Sequence, residues 1–272
     1  MPTSPTIGIH TLLDYDFCTP TDILLQIEAA LIPEQTVQNP RLTTTPSEHF
    51  SRVAAQDLIG ERIWLRHEGR FTAEYTAEVT VHRILGELEG LKAVPPHLLP
   101  GETVQYLMDS RYCPATRLQE FVGTEFAGKS GGALVVAIRD WITGHYRYAP
   151  GSSDSDTTAL DTIIERRGVC RDYAHTLVAL TRAAAIPARF VSAYAPDVQP
   201  QDFHAVAEVF LANPDGAGGA WHLVDATGMA NAAEIIKIGV GRDAADCSFL
   251  TSYGWAELKN KEIAVHRLQP GS

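Results

Sequence analysis

Gly168-Val169-Cys170-Arg171-Asp172-Tyr173-Ala174-His175 is the stretch on which the reading of this chain turns. Gly168 ends one helix and Cys170 begins the next. From Arg171 to Ala185 the apolar residues Tyr173, Leu177, Leu180 and Ala184 form one helical stripe, with Ala174 and Val178 beside it, and Pro187 closes the run. A thiol at a helix N-terminus meets the positive end of the helix dipole and unpaired backbone N–H groups, and both favour thiolate. The dipole supplies only about 0.3–1 kcal/mol at an exposed site, so an imidazolium is needed to complete the activation.

Two segments downstream can supply it. Asp202-Phe203-His204-Ala205-Val206-Ala207-Glu208-Val209 reads as a strand with His204 at its start, 34 residues after Cys170. Trp221-His222-Leu223-Val224-Asp225-Ala226-Thr227 reads as the next strand, with Asp225 at its end. Asn213-Pro214-Asp215-Gly216 and Gly218-Gly219 form a hairpin between them. Pairing through that hairpin places the start of one strand opposite the end of the other, making His204 and Asp225 cross-strand neighbours. A carboxylate bonded to the imidazole would fix its tautomer and stabilise its cation.

Arg189 to Ala195 is a further strand, and the helices precede it: Ala115–Ala127, Gly132–Tyr146, and a run that Thr158 and Asp161 open as a capping box ahead of Ile163 and Ile164. Helices followed by an antiparallel sheet make this half α+β. Residues 7 to about 110 have a β texture. In Phe71–His82 the odd positions are apolar and the even ones polar through Val81, the pattern of a long half-buried antiparallel strand. Leu58–Leu65 is a strand and Glu68-Gly69 a hairpin turn; 8–17 and 22–31 are further strands, the second also compatible with a short helix. The expected division is an antiparallel β-sandwich over 1–110 and a catalytic α+β domain over 111–272.

The 272 residues carry 22 Lys and Arg against 33 Asp and Glu, a net charge of −11. No basic cluster exceeds Arg166–Arg167, which speaks against nucleic acid as a partner. No apolar run approaches the ~18 residues of a membrane span, and MPTSPTIGIH lacks the features of a secretion signal, so a cytoplasmic protein without a membrane partner is expected. The four cysteines (Cys18, Cys113, Cys170, Cys247) are scattered, without CxxC pairing. No ligand spacing suggests a metal, and no cofactor is expected. Monomer and homo-oligomer both stay open.

GVCRDYAH, DFHAVAEVFL and WHLVDATG, in that order, resemble the core of the transglutaminase-like superfamily. Ser110–Pro114, the loop after Tyr148 and Gly241–Asp246 are similar to a bacterial subgroup with an N-terminal β-sandwich. The resemblance implies a papain-like site with Cys170 as nucleophile, His204 as general base and then acid, and Asp225 as orienting carboxylate. It implies acyl transfer: a Cys170 thioester formed from a carboxamide or peptide carbonyl of a protein, peptide or small amide, then resolved by water or an amine. Val206 and Ala193 depart from common residues of relatives and bear on pocket shape. Hydrolysis is preferred to amine transfer, since no device for excluding water is evident. A non-catalytic binding module and an acyl-CoA-dependent amine acyltransferase are the alternatives. The Cys170 N–H is the first oxyanion donor; Trp141, Tyr148 and loop amides are candidates for the second. His175 and His222 are alternative bases, for which structural or surface roles are preferred. Asp172 is a dipole partner of its helix, and Arg242 or Asp243 is a candidate substrate contact.

Overall fold

The computed structural model describes residues 5–83 and 85–268. Along the chain come β1 (Thr6–Leu25), β2 (Gln35–Thr44), β3 (His49–Ala54) and β4 (Glu61–Val81), then α1 (Gln119–Glu125), α2 (Gly131–His145), β5 (Arg147–Tyr148), α3 (Ala159–Glu165), β6 (Arg167–Gly168) and α4 (Cys170–Ala183). β7 (Ala188–Tyr194), β8 (His204–Ala212), β9 (Gly219–Val224), β10 (Ile236–Gly241), β11 (Leu250–Ser252) and β12 (Glu257–Arg267) complete it. The protein is mixed α+β with mostly antiparallel sheets.

β1 and β4, 20 and 21 residues long, pair along their whole length and form the spine of the first sheet. Strands this long can serve two partners in succession. β4 pairs β3 over its first part and β2 over its second; β1 pairs β12 and then β11 on its other side. Hydrogen bonding joins all six into one sheet, where the sequence leads one to expect the two sheets of a sandwich. The last two strands belong to it, so the sheet is shared by both ends of the chain, across the expected division at residue 110. Glu68-Gly69 is not a hairpin. Gly69 adopts φ +81°, and the register shifts between Phe17 and Thr21 opposite it, so the left-handed residue kinks a continuous strand. Segment 22–25 likewise continues β1. The alternation over 71–81 is borne out: Phe71, Ala73, Tyr75, Ala77, Val79 and Val81 are buried in one core with Ile7, Leu13 and Phe17.

The second sheet has the order β10-β7-β8-β9, entirely antiparallel. α4 packs across β8 and β7 and against α2 and α3. Its Leu177, Val178 and Leu180 share a core with Ile138 and Ile142 of α2 and Ala207 and Val209 of β8. α3 opens with the expected capping box of Thr158 and Asp161. The two sheets are joined by directional bonds. Tyr194 at the end of β7 donates to the Ile27 carbonyl at 2.7 Å and accepts from Thr11 at 3.0 Å, while the Gln35 amide bonds both the N–H and the carbonyl of Lys237. Beside that seam lies a buried ionic network. Glu208 of β8 pairs with Arg189 of β7 at 2.8 Å and with Lys237 of β10; Arg189 reaches Asp57 at 2.8 Å, and its guanidinium covers the Trp221 ring at 4.1 Å. Burial alone would raise the Glu208 carboxyl, but the two cations hold it well below the usual carboxylate range.

Candidate active site

The N-terminus of α4 is built around the Asp172 carboxylate. Asp172 is fully buried; its Oδ2 accepts the Val169 N–H at 2.8 Å, and Arg171 neutralises its Oδ1 at 3.1 Å. The Val169 carbonyl in turn takes the N–H groups of Asp172 and Tyr173. Asp172 therefore does more than complement the helix dipole: it closes the backbone turn carrying Cys170. Gly168 is required here, because a Cβ at that position would lie 2.7 Å from the Asp172 Cβ and 2.8 Å from its Oδ2. The short parallel pairing of β5 with β6 lays Tyr148 alongside the same turn.

Cys170 is half-buried and packs against a cluster containing Phe190, Ala205 and Cys247; its Sγ lies 4.0 Å from the Phe203 carbonyl oxygen. His204 follows immediately, at the first position of β8, and its side chain is fully buried. The Nε2 of His204 is 3.0 Å from Asp225 Oδ2. A carboxylate only accepts, so Nε2 is the donor. Nδ1 of His204 is buried and has no hydrogen-bond partner among the described residues. Burial would lower this imidazole's pKa, but the hydrogen bond to Asp225 and the proximity of Cys170 outweigh it and lift the pKa to about 9.

Asp225 lies one residue past β9, not within it. The β8–β9 ladder ends at Ala207–Val224, so the carboxylate reaches His204 obliquely from the following turn rather than as a directly opposed pair. That turn is organised by Asp225 itself: Oδ1 accepts from the N–H and hydroxyl of Thr227 at 2.8 and 2.7 Å, and Oδ2 from Ala230 N–H at 2.9 Å. Burial raises its pKa, but His204, Thr227 and Ala230 bring the net effect below the ordinary carboxylate value. Turn chemistry and imidazole contact are here properties of one residue.

Cys170 and His204 open on a cavity of about 520 Å³ whose walls include Phe203, Phe249, Arg171, Ser192 and Lys261. Tyr148 lies beside the Cys170 turn through its pairing with Gly168; burial first, and then the neighbouring Cys170, push its pKa upward. Trp141 points elsewhere, donating to Glu125 at 3.1 Å under the Arg166 guanidinium. Arg242 pairs with Asp246 at 2.8 Å, and the buried Asp243 accepts the Tyr112 N–H at 3.0 Å; both hold the 241–246 loop, and neither lines the cavity, which Ala244 and Ala245 do.

His175 is fully buried between the rings of Tyr112 and Phe190, each with its centroid 5.0 Å away, and its Nε2 accepts the Ala244 N–H at 3.1 Å. Burial, then Arg171 and Arg182, hold it far below the ordinary histidine pKa, a neutral packing ring. His222 pairs across from Val209 within the sheet, and burial lowers its pKa as well. Cys113 and Cys247 are buried thiols whose pKa values burial drives up, Cys113 to about 12; Cys18 is exposed. Among the described residues no group of three or more His, Cys, Asp or Glu side chains is placed to hold a metal ion. No helix among them is long and apolar enough to cross a membrane.

One pair escapes a reading by motif. Lys261 of β12 clamps both oxygens of Asp202 at 2.7 and 2.6 Å, and Asp202 Oδ1 accepts the Phe203 N–H at 2.7 Å, so the first sheet anchors the segment that presents His204. The signal in sequence is only an acidic residue two before the histidine; its partner is 59 residues away.

Residues 119–226 match the family model of the transglutaminase-like superfamily. The chain is 32% identical to a candidate cysteine protease from Cytophaga hutchinsonii of known crystal structure, which superposes with a TM-score of 0.88 over 99% of this chain and 92% of that one. An uncharacterized protein of Mycobacterium leprae is 28% identical over 148 residues, 52% of each chain; one of Mycobacterium tuberculosis is 28% identical over 193 residues, 65% of this chain and 60% of that one. The chain thus spans between half and three-fifths of the length of these mycobacterial relatives. With a near full-length relative at this identity and the family model lying across the segment that carries Cys170, His204 and Asp225, the chain belongs to the transglutaminase-like superfamily.

Proposed function

We propose that the protein is a thiol-dependent acyl-transfer enzyme in which Cys170, His204 and Asp225 act together. The observation that carries this reading is the bonding of His204: Nε2 is committed to Asp225, and the unpartnered Nδ1 is left for the thiol beside it. His204 takes the Cys170 proton, and the thiolate attacks the carbonyl carbon of a peptide or amide. The Cys170 N–H is the first donor to the resulting oxyanion, and the Tyr148 hydroxyl, which the β5–β6 pairing brings beside the Cys170 turn, is the second. Collapse expels the amine, protonated by His204, and leaves a Cys170 thioester. Water, deprotonated by His204, then releases the acid and restores the thiol. The likeness to a candidate cysteine protease over nearly the whole chain favours water as acceptor.

The reaction is separated from its alternatives by mass. Incubation with glutamine-containing peptides and a primary amine is expected to yield cut peptides or a +1 Da product of side-chain deamidation, dependent on Cys170. Dominant incorporation of the amine would overturn hydrolysis, and unchanged products with Cys170→Ala would overturn the thiol mechanism.

A further inference from the structure

β11 is bonded on one side only. Leu25 faces Leu250, Leu24 faces Thr251 and Ile23 faces Ser252, and no strand among the described residues pairs with its other edge. The phase of the ladder follows from its ends: Gln26 N–H donates to the Phe249 carbonyl at 2.9 Å, and Tyr253 N–H to the Asp22 carbonyl at 2.9 Å. Antiparallel residues alternate between bonding toward and away from a given partner. Phe249, Thr251 and Tyr253 therefore bond inward to β1, while Leu250 and Ser252 turn their backbone groups outward. The Leu250 carbonyl takes the Ser248 hydroxyl at 3.1 Å. Among the described residues, the Leu250 N–H and both backbone groups of Ser252 have no backbone partner.

This edge runs between two concave places. Leu250 and Thr251 line the same cavity as Cys170 and His204. Tyr253, exposed, leans on Trp64 with ring centroids 5.5 Å apart, and the two wall an open groove with Asp22, His49 and Arg66. At about 3.3 Å per residue, cavity and groove are separated by roughly 10 Å of extended chain. An unpaired edge invites strand addition, in which main-chain bonds give affinity and alternate side chains fill pockets.

We infer that the substrate is an extended polypeptide that adds as a strand to the Leu250–Ser252 edge, with its reacting carbonyl at Cys170 and a side chain several residues away in the Trp64–Tyr253 groove. This rests on the acyl-transfer reading and narrows it to peptides over small amides.

The test uses randomised, end-blocked octapeptide pools in which one peptide nitrogen is methylated, digested by the intact protein, with each product sequenced by mass spectrometry. Counted from the cut bond, the methyl group is expected to be depleted about ten-fold at alternate positions on one side and tolerated between them, because only every second N–H faces the edge. Ser252→Pro, which deletes one outward donor, is expected to erase part of that alternation. Even tolerance at all positions, or an alternation unaltered by Ser252→Pro, would overturn strand addition. If peptides are neither cut nor deamidated, the acyl-transfer reading fails, and retention of the same pools on immobilised Cys170→Ala protein decides the inference separately. Retention with alternating depletion supports it, and no retention overturns it.

Discussion

His204 and Asp225 meet at 3.0 Å through Nε2, and the same carboxylate collects three further hydrogen bonds from Thr227 and Ala230. The carboxylate is thus fixed before it fixes the imidazole. Asp225→Asn keeps the volume and one acceptor oxygen but removes the anion that stabilises an imidazolium. A fall in kcat/KM of about 10²–10⁴ is expected, with little change in fold by circular dichroism. A rate within a few-fold of wild type would remove Asp225 from the mechanism.

Tyr148 is the test of oxyanion stabilisation. Tyr148→Phe keeps the ring's packing on Tyr173 (centroids 6.0 Å apart) and deletes only the hydroxyl. The expected cost is about 10- to 10³-fold in kcat, with alkylation of Cys170 by iodoacetamide unchanged, since no tetrahedral oxyanion forms in that reaction. Equal losses in both reactions would assign Tyr148 to thiol activation instead.

The buried imidazole also ties stability to pH. The folded-state pKa of His204, about 9, lies above the ordinary value of 6.5. Its contribution is therefore fully present below pH 6.5 and is lost as pH rises through about 9. In urea denaturation the margin of wild type over His204→Gln is expected to be widest near pH 6 and to narrow by pH 9.5. A margin independent of pH over that window would mean that the ring is not held as a cation.

Glu208 sits between Arg189 and Lys237 with its side chain almost wholly buried. Glu208→Ala leaves two buried cations short of their partner and is expected to cost about 3–5 kcal/mol by urea denaturation. A loss below about 1 kcal/mol would show that Asp57, bonded to Arg189, and Glu34, which also pairs with Lys237, already satisfy them.

How far the sequence carries differs between near and distant relationships. The alternation of 71–81 and the stripe of Tyr173, Leu177 and Leu180 are periodic and local, and the buried faces follow them. The proximity of Cys170, His204 and Asp225 is legible because three short motifs each sit at the end of an element, and strand pairing carries the last two toward one another. Glu68-Gly69 misleads because a left-handed glycine reads identically as a turn or as a kink, and only the β1 strand beside it decides. Pairing of β11 and β12 with β1 joins residues more than 200 apart, and no local pattern encodes such a partner. Lys261 and Lys237 were illegible for the same reason: a lysine's counter-charge is set by topology, not by its neighbours in the chain.

Activation of Cys170 by His204 is tested most directly by the pH dependence of iodoacetamide alkylation, with peptide mapping of all four cysteines, in wild type and in His204→Ala. Expected is preferential labelling of Cys170 at pH values well below the ordinary thiol pKa of about 8.5, with that preference lost in His204→Ala. Labelling of Cys170 no faster than that of the exposed Cys18 at pH 6, or a preference that survives His204→Ala, would contradict it.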